Sequence, residues 1–205
     1  MFLEGESGDD VSRAPRLLLA STSPYRRELL ARLGLPFETE APGVPESQIE
    51  GELPMDRALR LALAKAQAVA ARHPDALIIG SDQVAAADPG VLEKPGNATR
   101  AVAQLAQLSG ATARFYTACA LICRDAGLRL AHLDTTRVTL RALSAAEIER
   151  YVARDAPYDC AGSFKAESLG ITLFESIESS DPTALIGLPL IWLAGALRSA
   201  GHQVP

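Results

Sequence analysis

The apolar run over residues 16–20 (RLLLA) stops at Ser21-Thr22-Ser23-Pro24 and gives way to Leu29, Leu30 and Leu33 at helical spacing. A run that short reads as a buried strand. Ser23 suits a helix N-cap, Pro24 the first helical position, and Gly34 the C-cap. A strand feeding straight into a helix obliges the chain to lay helices against a sheet. The alternation continues downstream. A second strand is expected over residues 37–39, then a loop rich in Pro, Gly and Glu over residues 42–54. Residues 54–72 read as a long helix, with Met55, Leu59, Ala62, Ala66 and Val69 on its apolar face. Residues 76–80 read as a strand ending at Ser81-Asp82-Gln83, and Asp88-Pro89-Gly90 as a turn.

Residues 98–108 are expected to be helical, and residues 113–123 and 130–140 to pair as a hairpin around Asp125-Ala126-Gly127. Ser144 and Glu147 form a capping box that opens a helix to about residue 154. A last strand is expected over residues 169–174 and a last helix over residues 189–199. The pattern predicts an α/β or mixed α+β fold built on a mixed sheet. Residues 1–15, polar and acidic, read as a flexible extension without the basic start of a signal peptide, and residues 16–205 as one domain. The most apolar stretch, residues 184–197, is too short for a bilayer and is interrupted by Gly187 and Pro189. No membrane association is expected.

Charge narrows the function further. With 20 Lys and Arg against 25 Asp and Glu the net charge is −5. That balance gives no general attraction to nucleic acid, so an anionic ligand needs a local cluster of cations. Cys119, Cys123 and Cys160 are odd in number and lie outside any C-x-x-C pair, which argues against a disulfide framework or zinc and for a reducing, cytoplasmic compartment.

Four segments could carry chemistry. Ser21 to Arg27 brings hydroxyls and two arginines, Arg26 and Arg27, to a helix start. That is either an anion site or a capped helix with solvated side chains. Asp82 stands at the end of an apolar strand, where a carboxylate can hold a cation or take a proton from water, or simply cap a turn. Lys65 and Lys94 could neutralise phosphate oxygens or be merely solvated. In the stretch from Asp159 to Glu167, Cys160 reads as a small buried hydrophobe, since no nearby histidine could activate it. His73, His132 and His202 are scattered and receive no role.

Taken together, these segments resemble the Maf family of nucleotide pyrophosphatases. The matching pieces are ASTSPYRRELL, the helix around Lys65, IIGSDQV, EKP, DCAGSFKAESLGITLF and DPTALIGLPL, in family order and spanning nearly all of the chain after Pro15. The resemblance implies a mixed α/β fold with a central cleft, related to inosine-triphosphate pyrophosphatases. It implies hydrolysis between the α and β phosphates of a nucleotide, helped by a divalent cation (Mg²⁺, Mn²⁺ or Co²⁺). It places the catalytic base, and a metal contact, at Asp82. Phosphate-binding roles fall on Ser21, Arg26, Arg27, Lys65 and Lys94. The family usually has a paired acidic motif after the second strand; here Val44-Pro45-Glu46 leaves Glu46 alone as the second metal-binding or catalytic carboxylate.

Within the family, the branch acting on unmodified pyrimidine triphosphates typically has Arg, Thr and Gln where this chain has Tyr25, Gln83 and Glu167. The chain looks instead like the branch acting on 7-methyl-GTP, which often has Trp at the place of Tyr25. Those three residues are therefore the expected specificity determinants. The alternatives are an enzyme of this fold acting on dTTP or UTP, and a non-enzymatic regulator of septum formation. A homodimer is an open assembly.

Overall fold

The computed structural model describes residues 14–205. The expected N-terminal extension, residues 1–15, falls almost wholly outside them. Strands β1 (Leu17–Ala20), β2 (Glu38–Thr39), β3 (Leu77–Ala87), β4 (Gly90–Leu92), β5 (Thr112–Cys123), β6 (Leu128–Leu140) and β7 (Phe174–Glu178) form one mixed sheet in the order β2-β1-β3-β5-β6-β7, with β4 paired to β3. β1 runs parallel to β2 and β3, and the remaining pairs are antiparallel. Among the described residues the helices are α1 (Pro24–Ala31), α2 (Pro54–Ala70), α3 (Ala98–Leu108), α4 (Ala145–Asp155) and α5 (Leu190–Ser199).

Strand alternation sorts the core. Leu17 and Leu19 of β1 with Leu77 and Ile79 of β3 pack under α1 and α5, through Leu29, Leu30, Leu193 and Leu197. Leu18, Ala20 and Ile78 face the other way, against Ala58, Ala62, Ala66 and Val69 of α2. A third cluster closes the far end of the sheet, where Phe115, Val138 and Leu140 meet α3 and α4 through Leu105, Leu108, Ile148 and Val152. β3 and β5 run through both ends, so the two lobes share one sheet.

Several local readings are corrected. β3 does not end at Gly80 but continues for seven more residues, to Ala87. Polar Ser81-Asp82-Gln83 looks like a strand end, yet β5 pairs with β3 throughout, including Asp82 opposite Ala118. Helix α2 turns its buried face a little from the expected one. Ala58, Leu61, Ala62, Lys65, Ala66 and Val69 are buried, whereas Met55 is exposed. Helix α1 ends at Ala31, with Arg32 as its C-cap, and Gly34 takes its positive φ of 68° in the turn beyond.

The strand expected over residues 169–174 is a 3-10 turn, Leu169–Leu173, and β7 begins only at Phe174. Gly170 sits so close to the backbone of Lys165 that a Cβ would lie 2.3 Å from its carbonyl oxygen, a folding-back no extended strand permits. β4 was not foreseen from the sequence. Among the described residues no helix is long and apolar enough to cross a membrane.

Candidate active site

The site lies where the sheet changes partners. Parallel pairing of β1 with β3 stops at Ala20 opposite Gly80, while β3 runs on. The crevice beyond the carboxyl end of β1 is where open α/β sheets place ligands. Asp82 follows Gly80 by two residues and therefore projects to the same face, toward α2. The helix comes close there because its buried stripe is alanine. A Cβ on Gly80 would lie 2.3 Å from the Ala62 carbonyl oxygen and 2.8 Å from the Ala66 Cβ. Lys65 belongs to that stripe, so its side chain is carried inward and the residue is only 5% exposed. Its Nζ donates to Asp82 Oδ1 at 2.6 Å and meets Glu46 Oε1, also at 2.6 Å.

Glu46 sits on the loop between β2 and α2, and two arginines of α2 hold that loop down. Arg60 grips Glu52 with both Nε and Nη2 and donates to the Ser47 carbonyl. Arg57 donates to the Glu46 carbonyl from Nη2 and to Glu93 from Nη1, tying the loop to the segment that carries Lys94. Neither arginine stood out in the sequence, because both read as ordinary polar positions on a long helix. Their i, i+3 spacing on the N-terminal turns, facing an acidic loop, was the available signal.

The other face of β3 fixes Arg26. Ser81 Oγ, fully buried, lies 2.8 and 2.9 Å from the carbonyls of Ala118 and Gly187, which share its one hydroxyl proton. Arg26 Nε donates to the same Gly187 carbonyl at 3.0 Å, which leaves its Nη groups to the cleft. Gln83 Nε2 reaches Thr117 Oγ1 and the carbonyls of Ala184 and Leu185, so its amide nitrogen is spent on the turn that holds Gly187. Only its Oε1 remains for a ligand.

Ser21 is buried, and its oxygen accepts the Ser23 N–H. The α1 N-terminus offers fewer free donors than its sequence suggests. Pro24 has no N–H, and Ser23 takes that of Arg26. Arg27 is exposed and does not line the cleft; Lys94 is exposed and does.

Burial pushes the pKa of Asp82 up, and the nearby cations Lys65 and Arg26 only partly offset this. Burial also pushes Glu46 up, but the Lys65 hydrogen bond and charge, with Lys94 and Arg26, outweigh it and hold Glu46 below the usual carboxylate range. The pKa values of two neighbouring carboxyls are thus driven apart, an arrangement that suits them to different roles. Burial lowers the Arg26 pKa, while Asp82 and Glu46 raise it; an arginine so placed stays cationic at neutral pH.

The cleft encloses about 510 Å³, within the range of small-ligand sites. Its lining also includes Tyr25, Asp159, Cys160 and Glu167. The Tyr25 hydroxyl donates to Asp159 Oδ2 at 3.1 Å. Burial and Asp159 push the Cys160 thiol up to about 12, which keeps it protonated and unreactive at neutral pH. The structure thus brings Ser21, Tyr25, Arg26, Glu46, Lys65, Asp82, Gln83, Lys94 and Glu167 to one cleft and leaves Arg27 outside it.

Among the described residues no three His, Cys, Asp or Glu side chains gather as a self-sufficient metal site. Asp82 Oδ2 and Glu46 Oε2 have no protein hydrogen bond among those residues. A hard cation such as Mg²⁺ commonly takes one or two carboxylates and completes its shell with phosphate oxygens and water. The donor set fits an ion of that kind held jointly with a phosphorylated ligand.

Comparison with known proteins identifies a family and several relatives. The family described as "Maf-like protein" matches residues 16–200. A protein of Xanthomonas axonopodis pv. citri named 7-methyl-GTP pyrophosphatase is 56% identical over 93% of this chain and 100% of its own length. One of the same name from Albidiferax ferrireducens is 53% identical over 92% and 95%. The structure of the Staphylococcus aureus Ham1 protein aligns at a TM-score of 0.43 and 12% identity, covering 61% of this chain and 71% of that one.

Proposed function

The chain belongs to the Maf-like family, and on that footing we propose that it hydrolyses a nucleoside triphosphate to the monophosphate and pyrophosphate, with 7-methyl-GTP its preferred substrate. The observation that carries this reading is the buried Asp82 carboxylate, with its raised pKa, beside the cations of Arg26 and Lys65 at the end of β1. A carboxylate raised in this way is a stronger base than one in water.

Asp82 takes a proton from water as the water oxygen bonds to the α phosphorus. The bond from that phosphorus to the α–β bridging oxygen breaks, and pyrophosphate leaves. The Arg26 Nη groups, Lys94, Lys65 and the Ser21 hydroxyl are the donors for the phosphate oxygens. They bear charge where it accumulates, which is how phosphoryl transfer is chiefly accelerated. Asp82 and Glu46 would hold the divalent cation (Mg²⁺, Mn²⁺ or Co²⁺), which when bound draws charge from the phosphates. Arg27, outside the cleft, has no part in this reading.

The base rests on the Tyr25 face. Glu167 accepts the ring N–H and amine of guanine, two adjacent donors that pyrimidines lack. Gln83 contributes its free Oε1 and the placement of the turn that orients Arg26. The net charge of −5 and three unpaired cysteines support action on free nucleotides in the cytoplasm.

Pyrophosphate release by purified protein with Mg²⁺ or Mn²⁺ tests the reading across 7-methyl-GTP, GTP, dTTP and UTP. The expected order puts 7-methyl-GTP first. Faster turnover of dTTP or UTP would overturn the substrate, and no release from any triphosphate would overturn the enzymatic reading.

A further inference from the structure

The cations of the cleft already have carboxylate neighbours. Arg26, Lys65 and Lys94 act on Glu46, and Arg26 and Lys65 on Asp82. The cleft lining also offers two carboxylates from the loop after α4, Asp159 and Glu167, and both bear on the Cys160 thiol. Among the described residues Asp159 has no cation partner. Its Oδ2 accepts the Tyr25 hydroxyl at 3.1 Å and its Oδ1 the Cys160 thiol at 3.5 Å. An exposed acid would be expected to find a lysine or arginine, or to point into solvent. This one is instead turned onto the rim of the cleft and bonded to its aromatic wall.

We propose that Asp159 is a specificity-determining residue, which orients the Tyr25 ring through its hydroxyl and supplies the uncompensated negative charge that selects a cationic base over a neutral one. This rests on the reading that the base of the nucleotide lies against Tyr25. Two effects act in the same direction. A phenol donating a hydrogen bond to a carboxylate is polarised by it and gains electron density in its ring, which strengthens its attraction for a cation. The carboxylate also acts on a positive base directly, over a distance well inside the Debye length. Neither effect helps a neutral guanine. Glu167 by contrast reads donors that methylated and unmethylated guanine share, so Asp159 and Glu167 divide the recognition of charge from the recognition of guanine. The cleft as a whole then matches a ligand that is positive at its base and negative at its phosphates.

The test compares Asp159→Asn, Tyr25→Phe and the double variant with the wild type. It uses kcat/KM for 7-methyl-GTP and GTP at slightly acid pH, where the methylated ring keeps its N1 proton. Asn keeps the shape and an acceptor for the Tyr25 hydroxyl but removes the charge. The expected result is a fall in the 7-methyl-GTP to GTP ratio of roughly 2- to 30-fold in Asp159→Asn, the range of a cation–π contact. A smaller fall is expected in Tyr25→Phe, which keeps the ring, and the double variant should fall below Tyr25→Phe alone. An unchanged ratio in Asp159→Asn overturns the proposal, as does an equal loss for both substrates, the mark of a merely structural role.

Calorimetric binding of 7-methyl-GMP and GMP keeps this separate from the hydrolysis itself. If the wild type releases no pyrophosphate, the enzymatic reading fails, but an Asp159-dependent preference for the methylated nucleotide would still sustain the proposal. No such preference would end it.

Discussion

Replacing Lys65 with Met tests whether the buried ammonium organises the site. Methionine keeps most of the side-chain length and its fit against the alanine stripe of α2, but it removes the cation. Two ion pairs are lost, and they are unequal. The side chain of Glu46 is 57% exposed, so its pair contributes little in water. The side chains of Lys65 and Asp82 are 7% and 9% exposed, and breaking a buried pair from one side costs about 3–5 kcal/mol.

Arg26 still faces Asp82, and Asp82 can take up a proton, so the lower end, about 3 kcal/mol, is expected at pH 8. For a chain of this size that is roughly 6–12 °C in Tm. The pH dependence has a definite sign. Losing Lys65 raises the folded pKa of Asp82 further above its unfolded value. Between the two values the folded state binds more protons, so stability is lost as pH rises through the folded pKa and regained as pH falls. The deficit of Lys65→Met in thermal melts should therefore be large at pH 8 and shrink at pH 5. A variant melting within a degree or two of wild type at both values would refute the inference that Lys65 compensates a buried charge.

Three further outcomes follow from the same geometry. Asp82→Asn should fold and lose about 10²- to 10⁴-fold in kcat, the contribution of a positioned general base. In the wild type the raised Asp82 pKa places the acid limb of the rate profile above the ordinary carboxylate range, with activity rising as pH increases through it, and a steady-state pH profile checks both points. Arg26→Ala and Lys94→Ala should each lower kcat/KM by about tenfold to a hundredfold, the strength of a charge-assisted hydrogen bond, by similar factors for every nucleotide. A loss confined to one base in the panel assay would contradict a phosphate role.

What the sequence determined by itself was local or carried by motif. Ser23-Pro24, Ser144 with Glu147, and the turn at Gly127 opened helices and closed the hairpin as read, because caps and turns are settled by residues a few positions apart. The family motifs picked out the cleft residues, though they also included Arg27, which α1 turns to solvent.

The tertiary structure decided the rest. Asp82 read as a strand end because three polar residues follow an apolar run. It is mid-strand because β5, some 36 residues on, pairs with it, and because β1 ends beside Gly80. Lys65 read as a helix-face lysine; only the approach of α2 to Gly80 shows that it is buried against Asp82. The bond from Tyr25 to Asp159 joins residues 134 apart in sequence. Such pairings depend on which surfaces meet when the core clusters close, and short-range sequence pattern holds no record of that. Local chemistry therefore announced what kind of groups the site would use, and the packing of α2 and β1 on β3 determined their geometry and charge.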